Sequence, residues 1–300
     1  MKESKRPRNR SAAALHLMIL PALALLLVYS YGPMLGLVMA FQDFTPAQGW
    51  FGSPWVGMDN FKYVFSLPNF KQVVWNTLFI SIMEIALGQI LALVVTLLLN
   101  EVKNGFKRTV QTIIYIPHFL SWIILGGILL EVLSLSGIVN MFLHRLGIEP
   151  ISFLGDSSIF PWTLIFSHLW KEVGFATIIF LAALSSINPQ LYEAAEIDGA
   201  GRLRKMWNVT LPGMAPIIIL AAVLSIGNLL NAGFDQVFTL YNPVVYDTGD
   251  IIDTFVYRLG LVQSHYSLAT AVGIFKSTIS FTFVALSYYL AYRLADYRIF

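Results

Sequence analysis

Apolar residues gather in six long stretches, about 13–41, 74–99, 111–133, 160–184, 213–234 and 270–291, separated by shorter polar segments. A bilayer core about 30 Å thick needs roughly 20 apolar residues at 1.5 Å rise each, and every stretch reaches that length. The pattern predicts an all-α integral membrane protein with six transmembrane helices. The first and fourth stretches exceed the minimum, which implies tilt or an interfacial turn, and Pro21 and Pro33 are expected to interrupt the first. Hydrophobic residues make up 57% of the 300 and charged residues 12%, with a mean hydropathy of +0.69. Those values exclude a soluble fold.

Sidedness follows from Lys and Arg near the ends of the spans. With the N-terminus inside, the inner segments hold thirteen: Lys2, Lys5, Arg6, Arg8, Arg10, Lys103, Lys107, Arg108, Arg202, Arg204, Lys205, Arg293 and Arg298. The outer segments hold four, Lys62, Lys71, Arg145 and Arg258, while Lys171 and Lys276 fall within or near spans. Both termini are therefore expected in the cytoplasm. The basic start followed by an apolar run also has the form of a secretory signal peptide, but that run continues past Tyr29 to Phe41 with no evident small-residue cleavage site. An uncut first helix fits better. No lipidation box is visible, since Gly does not follow Met1 and there is no Cys to prenylate.

The pattern predicts one membrane domain over residues 1–300. It has a cytoplasmic tail at 1–12, extracellular loops at 42–73 and 235–269, and one long inner loop at 185–212. The outer loops carry many aromatics, among them Trp50, Trp55, Tyr241, Tyr246 and Tyr257, which suit anchors at the headgroup level. In the inner loop Asn188 can cap a helix, Pro189 fits its first position, and Gly199 and Gly201 mark its end. Leu191, Ala194 and Ala195 fall on one small apolar face with Glu193 and Glu196 on another side. Arg202, Arg204 and Lys205 follow, then Leu211 and Pro212. Two short helices joined at glycines are predicted to project as a knob.

A basic connector of this kind could simply obey the positive-inside rule. Its residue order is more particular. Glu193-Ala194-Ala195, three residues, Gly199, nine residues, Val209, Thr210 and Leu211-Pro212 resembles the signature loop of type I, MetI-like ABC importer permeases, with Val209 where that pattern has Ile. Asn231-Ala232-Gly233-Phe234-Asp235-Gln236, Tyr241-Asn242-Pro243 and Asp253-Thr254 look like the LplB-like polysaccharide branch of the carbohydrate-uptake group. The resemblance implies a MetI-like fold whose coupling helix, between spans four and five, enters a cleft of a cytoplasmic ATPase. Glu193, Ala194, Ala195, Gly199, Arg202, Leu211 and Pro212 would form that coupling site, with Glu193 facing basic or polar groups. It further implies a second permease subunit, two ATPase copies, an extracellular solute-binding protein that delivers an oligosaccharide, and ATP with Mg on the ATPase alone.

The chemistry available agrees with a transport subunit. The phosphate-cradling G-x-x-x-x-G-K-[ST] sequence is absent, so hydrolysis falls to a partner. His16, His118, His144, His168 and His265 have no metal spacing, no G-x-S-x-G elbow occurs, and cysteine is absent. The chain thus calls for no cofactor or metal. Nineteen Lys and Arg against 17 Asp and Glu give +2, too little surplus to hold a nucleic acid.

Ionisable residues in hydrocarbon normally face protein or water. Glu84 reads as close to the outer end of the second span, and Glu131 as at the outer end of the third. His168, Lys171 and Glu172 share a broad face of the fourth, and Lys171 and Glu172 are candidates for the substrate pathway or for a structural ion pair. Asn228, Asn231 and Asp235, with Phe234 beside them, are expected to line one stripe at the end of the fifth helix. Amides and a carboxylate suit sugar hydroxyls, and aromatic rings suit sugar C–H faces; the amides could equally bond neighbouring helices. Two rival functions remain at this stage: a stand-alone secondary transporter, which should contain matching broken helices in two halves, and an importer permease for a non-sugar cargo, which would share the coupling motif.

Overall fold

The computed structural model describes residues 10–295, so the tail before Arg10, with Lys2, Lys5, Arg6 and Arg8, and the C-terminal Arg298 lie outside the described residues. Among the described residues five helices are long and apolar enough to cross a membrane: Leu17–Phe41, Pro68–Glu101, Phe160–Ser185, Arg202–Ile226 and Tyr266–Arg293. Gly105–Phe119 and Trp122–Val132 meet the same test only when taken together, and they bend by 104° at the break between them. Apart from helices and their connections, the described backbone has one isolated bridge, Gln42 to Trp55.

The chain divides into two compact units, one running to Val64 and resuming at Leu259–Ile274, the other comprising Phe65–Arg258 and the chain from Phe275. In the first unit the leading helix does not stop at Pro21, contrary to expectation. Arg10–Leu26 is α-helical, Leu27–Tyr31 widens to a π turn, and Gly32–Phe41 tightens to a 3-10 helix with Pro33 in its first turn. Pro21 stays within the α-helical winding, and the change to 3-10 winding places Pro33 where its missing donor costs little. The segment after it folds back on the helix end. Asn60 Nδ2 donates to the Ala40 and Gln42 carbonyls, both at 2.9 Å, and the Phe44 N–H donates to Ser267 Oγ at 2.9 Å.

In the second unit the Pro68–Glu101 and Phe160–Ser185 helices pack lengthwise. Ile80, Phe160, Leu164, Ile165 and Leu169 share a buried cluster with Val237, Leu240, Val245 and Ile251. A second cluster joins Ala92, Phe180, Ala183, Ile187 and Met214 nearer the inner loop. The second helix has 34 residues, about 51 Å by its rise, so it extends well outside the hydrocarbon. Glu84 lies near the middle of this helix and is buried, 6% exposed.

Two further expectations change. The third span is not one straight helix over 111–133. Pro117 enters a 3-10 turn over Ile116–Phe119, Leu120 is extended, and Ser121 Oγ accepts from the Ile124 N–H at 3.4 Å to start a new helix. Proline removes one donor and the serine cap opens the next helix, so the chain turns sharply here. The helix before the break passes close to the fourth span at Gly174, where a Cβ would overlap the Ile114 carbonyl. The fifth helix ends at Ile226, not 234; after a turn, Gly233 at φ +69° starts a separate helix, Phe234–Leu240.

Polar side chains fix the segment after that short helix. Asn76 Nδ2 donates to the Asp247 and Asp250 carbonyls at 3.0 and 3.2 Å, and the Ile252 N–H donates to Thr77 Oγ1 at 2.9 Å. Arg258 clasps the buried Asp250 through both terminal nitrogens and lies 4.4 Å over the Tyr246 ring. Burial opposes the guanidinium charge, but the bonds and charge of Asp250 outweigh it and hold the Arg258 pKa above its ordinary value. Lys276 Nζ grips Asp253 at 2.6 and 2.7 Å. Asp250 is 2% exposed, so Arg258→Ala, which strands it, is expected to destabilise the purified protein by about 3 kcal/mol. Adding Asp250→Asn should recover part of that loss in thermal unfolding.

Candidate functional site

The inner loop 185–212 is built by local signals. Asn188 Oδ1 accepts from the Gln190 N–H at 3.0 Å, Pro189 occupies the first turn, and the helix runs Pro189–Ile197. It closes with the Gly199 N–H on the Glu196 carbonyl at 3.0 Å and the Ala200 N–H on the Ala195 carbonyl at 2.9 Å. Gly199 adopts φ +76°, a left-handed conformation that strains any residue with a Cβ. Tyr192 Oη and Thr210 Oγ1, 3.0 Å apart, tie this helix back to the fifth.

The second short helix is not separate. Arg202–Lys205 continues through a π turn, Met206–Thr210, into Leu211–Ile226, so Leu211 and Pro212 sit inside one helix and do not precede it. The reason is positional: Pro212 follows a wider turn that removes the clash it would cause in regular winding. Glu193, Ala194, Gly199, Arg202 and Pro212 are exposed, while Ala195 and Leu211 are partly covered. Leu191, Ile197, Leu203 and Trp207 also stand exposed. A short helix edged with carboxylates and bare apolar side chains is suited to seating in another protein.

The second group of site residues surrounds the break in the third span. Lys171, 7% exposed, donates from Nζ to the His118 carbonyl at 2.9 Å and to Glu172 Oε1 at 3.0 Å. Glu172 Oε2 lies 2.7 Å from His118 Nδ1. The His118 ring stacks on Phe175 with centroids 4.0 Å apart and planes within 5°, and Lys171 Nζ stands 5.6 Å from the Trp122 ring centre. Lys171 and Glu172 thus form the ion pair, and through His118 they pin the end of Gly105–Phe119 to the fourth helix. His168 turns to another partner, with Nδ1 3.6 Å from Glu84 Oε1. Glu84 also lines a cavity of about 160 Å³ with Gly88, Gln89 and Ser225.

The stripe expected of Asn228, Asn231 and Asp235 is not one helical face. Asn228 lies in the turn after Ile226, Asn231 in the link before Gly233, and Asp235 in the next helix, because the left-handed glycine breaks the winding between them. All three are exposed, and Asn231 Nδ2 reaches Asn228 Oδ1 at 3.3 Å. Phe234 keeps aromatic company: it stacks on Phe238 at 5.3 Å, and Tyr257 meets Phe238 at 4.9 Å. Nearby Tyr241 is pushed up to about 12, first by burial and then by Tyr246. Gln236 faces inward and donates to the Leu164 carbonyl at 2.7 Å and to Ser167 Oγ at 2.8 Å. Sequence reasoning missed His118, Trp122 and Phe175 as a cluster; Pro117 inside an apolar run was the available signal for the break that gathers them.

Residues 85–296 match the family model described as the binding-protein-dependent transport system inner membrane component. The chain belongs to that family. The likeness drawn from Glu193 through Pro212 is thereby borne out, and this permease is an all-helical, multi-pass membrane protein of the MetI-like fold. It is 41% identical over 279 residues to Protein LplB of Bacillus subtilis, covering 92% of this chain and 88% of that protein. It is also 41% identical over 288 residues to the polygalacturonan/rhamnogalacturonan transport system permease YteP of the same organism, covering 95% and 90%. Among solved structures it matches a chain of a bacterial alginate ABC transporter in complex with an alginate pentasaccharide-bound periplasmic protein. That match has a TM-score of 0.87 and 36% identity, and it covers 97% of this permease and 98% of that chain.

Lys171→Ala is expected to leave Glu172 with only His118 and to lower stability in detergent by about 2 kcal/mol, discounted because Glu172 is partly exposed. A double-mutant cycle with Glu172→Gln should give a loss well below the sum of the single losses; additive losses would mean the pair does not hold the break.

Proposed function

We propose that this permease forms the translocation pathway of an ATP-driven importer for an oligosaccharide. It works with a second permease subunit, two copies of a cytoplasmic ATPase that carries the ATP and Mg, and an extracellular solute-binding protein at the outer loops 42–73 and 235–269. Both termini lie in the cytoplasm, as the distribution of Lys and Arg supports. The sugar cargo is supported by likeness to permeases named for polygalacturonan, rhamnogalacturonan and alginate transport.

The observation that carries the coupling reading is the 189–197 helix, held at a left-handed Gly199, presenting Glu193 and exposed Leu191 and Ile197. An ATPase can bias a bistable bundle only through a contact that differs between its states. The fourth and fifth helices flank this contact directly, so its displacement reaches the membrane interior along continuous helix. Lys171 and Glu172, at the broken third span, then act as a positioning pair beside the pathway. Exposed Asn228, Asn231 and Asp235 offer amide and carboxylate groups to sugar hydroxyls beside the Phe234 ring.

Glu193→Lys and Gly199→Asp are expected to leave the subunits assembled while reducing oligosaccharide uptake and substrate-stimulated ATP hydrolysis by at least tenfold in proteoliposomes. Native rates in either assembled variant would refute the coupling reading. Asn231→Ala with Asp235→Ala should alter substrate range or uptake rate, and an unchanged profile would remove those residues from the pathway.

A further inference from the structure

A groove of about 770 Å³ runs along the inner end of the second helix beside the fifth. One wall is apolar, formed by Val94, Leu97 and Leu98, and Met206 faces into the same groove; Arg202 and Lys205 stand at its mouth. Its volume is that of a small-ligand pocket, but its shape is amphipathic and its wall is bare, with Leu98 63% and Val94 44% exposed. Val94 lies seven residues before Glu101, the last residue of the helix, which places it about 10 Å up the axis. A protein resting on the aqueous side would not reach that far, whereas a hydrocarbon chain would.

The mouth is positive. Between 95 and 110 and between 196 and 210 the chain holds Lys103, Lys107, Arg108, Arg202, Arg204 and Lys205 against Glu101, Glu196 and Asp198. The carboxylates engage the two basic groups of the mouth only loosely, Arg202 with Glu101 at 3.7 Å and Lys205 with Glu196 at 3.5 Å. The exposed Arg202–Glu101 pair holds little, and Arg202, with an 87% exposed side chain, has most of its five N–H donors free for phosphate oxygens; the Lys205 side chain is 22% exposed and its only ion pair among the described residues is the long one to Glu196.

We infer that this groove binds an anionic phospholipid of the surrounding membrane, with one acyl chain along Val94, Leu97 and Leu98 and the phosphate between Arg202 and Lys205. The inference rests on the cytoplasmic placement of the 185–212 loop proposed above, where the inner leaflet supplies such lipids and basic pockets between helices recognise their headgroups. The lipid would sit against the segment that joins the coupling helix to the fifth span, so its presence would bear on how firmly the two are held.

The test uses the assembled transporter in phosphatidylcholine nanodiscs with and without phosphatidylglycerol, released for native mass spectrometry. The wild type should retain phosphatidylglycerol per permease in preference to phosphatidylcholine. Lys205→Gln should reduce that retention about fivefold, the effect of one basic group near the membrane surface, and Lys205→Arg should restore it. Leu98→Trp, which fills the apolar wall, should reduce it independently. Equal retention of both lipids by the wild type, or unchanged phosphatidylglycerol in both Lys205→Gln and Leu98→Trp, overturns the inference. So does loss of the ATPase from those variants with lipid retention intact, which would make the groove a protein seat. Retention needs no substrate, so a complex that keeps its lipid but imports no oligosaccharide would refute the importer reading alone.

Discussion

Inside hydrocarbon, a backbone or side-chain polar group that lacks a partner is costly enough to reshape the helices around it. This constraint organises the second unit. Where Pro117 and the extended Leu120 break the third span, the His118 carbonyl is released from regular helix bonding and receives the Lys171 ammonium instead. The charge brought there is balanced by Glu172, whose second oxygen returns to the His118 ring. Backbone break and ion pair therefore satisfy each other.

The fourth helix transmits the result. One end packs against the second helix through Phe160, Leu164 and Ile165, its middle holds the ion pair, and its inner end passes through Ala183 and Ile187 to the Asn188 cap. Gly174 permits the close backbone approach of Ile114 next to that pair. Broken helix, fourth helix and the 189–197 helix are thus linked by direct contacts and chain continuity.

Much of this was legible in residue order because the physics was local. Apolar runs of sufficient length became helices; Asn188, Pro189 and Gly199 each took the capping or turning role that their chemistry suggests. What failed depended on contacts between distant segments or on small changes of winding. The straight third span failed because Pro117 and the Ser121 cap break the winding there, and the His118 carbonyl at the break is met by Lys171, 53 residues away. The polar stripe after the fifth span failed because a single left-handed Gly233 separates Asn231 from Asp235, and periodicity assumes unbroken winding.

The wide turn at Met206–Thr210 has a geometric consequence of its own. A π turn amounts to one extra residue accommodated within an α-helix, and one residue corresponds to about 100° of rotation. It therefore sets the azimuth of everything from Leu211 to Ile226 relative to Arg202 and Trp207. The face that the fifth helix offers to its neighbours is dialled by five residues at the water's edge, as a key's teeth are fixed by the angle at which its shaft is cut.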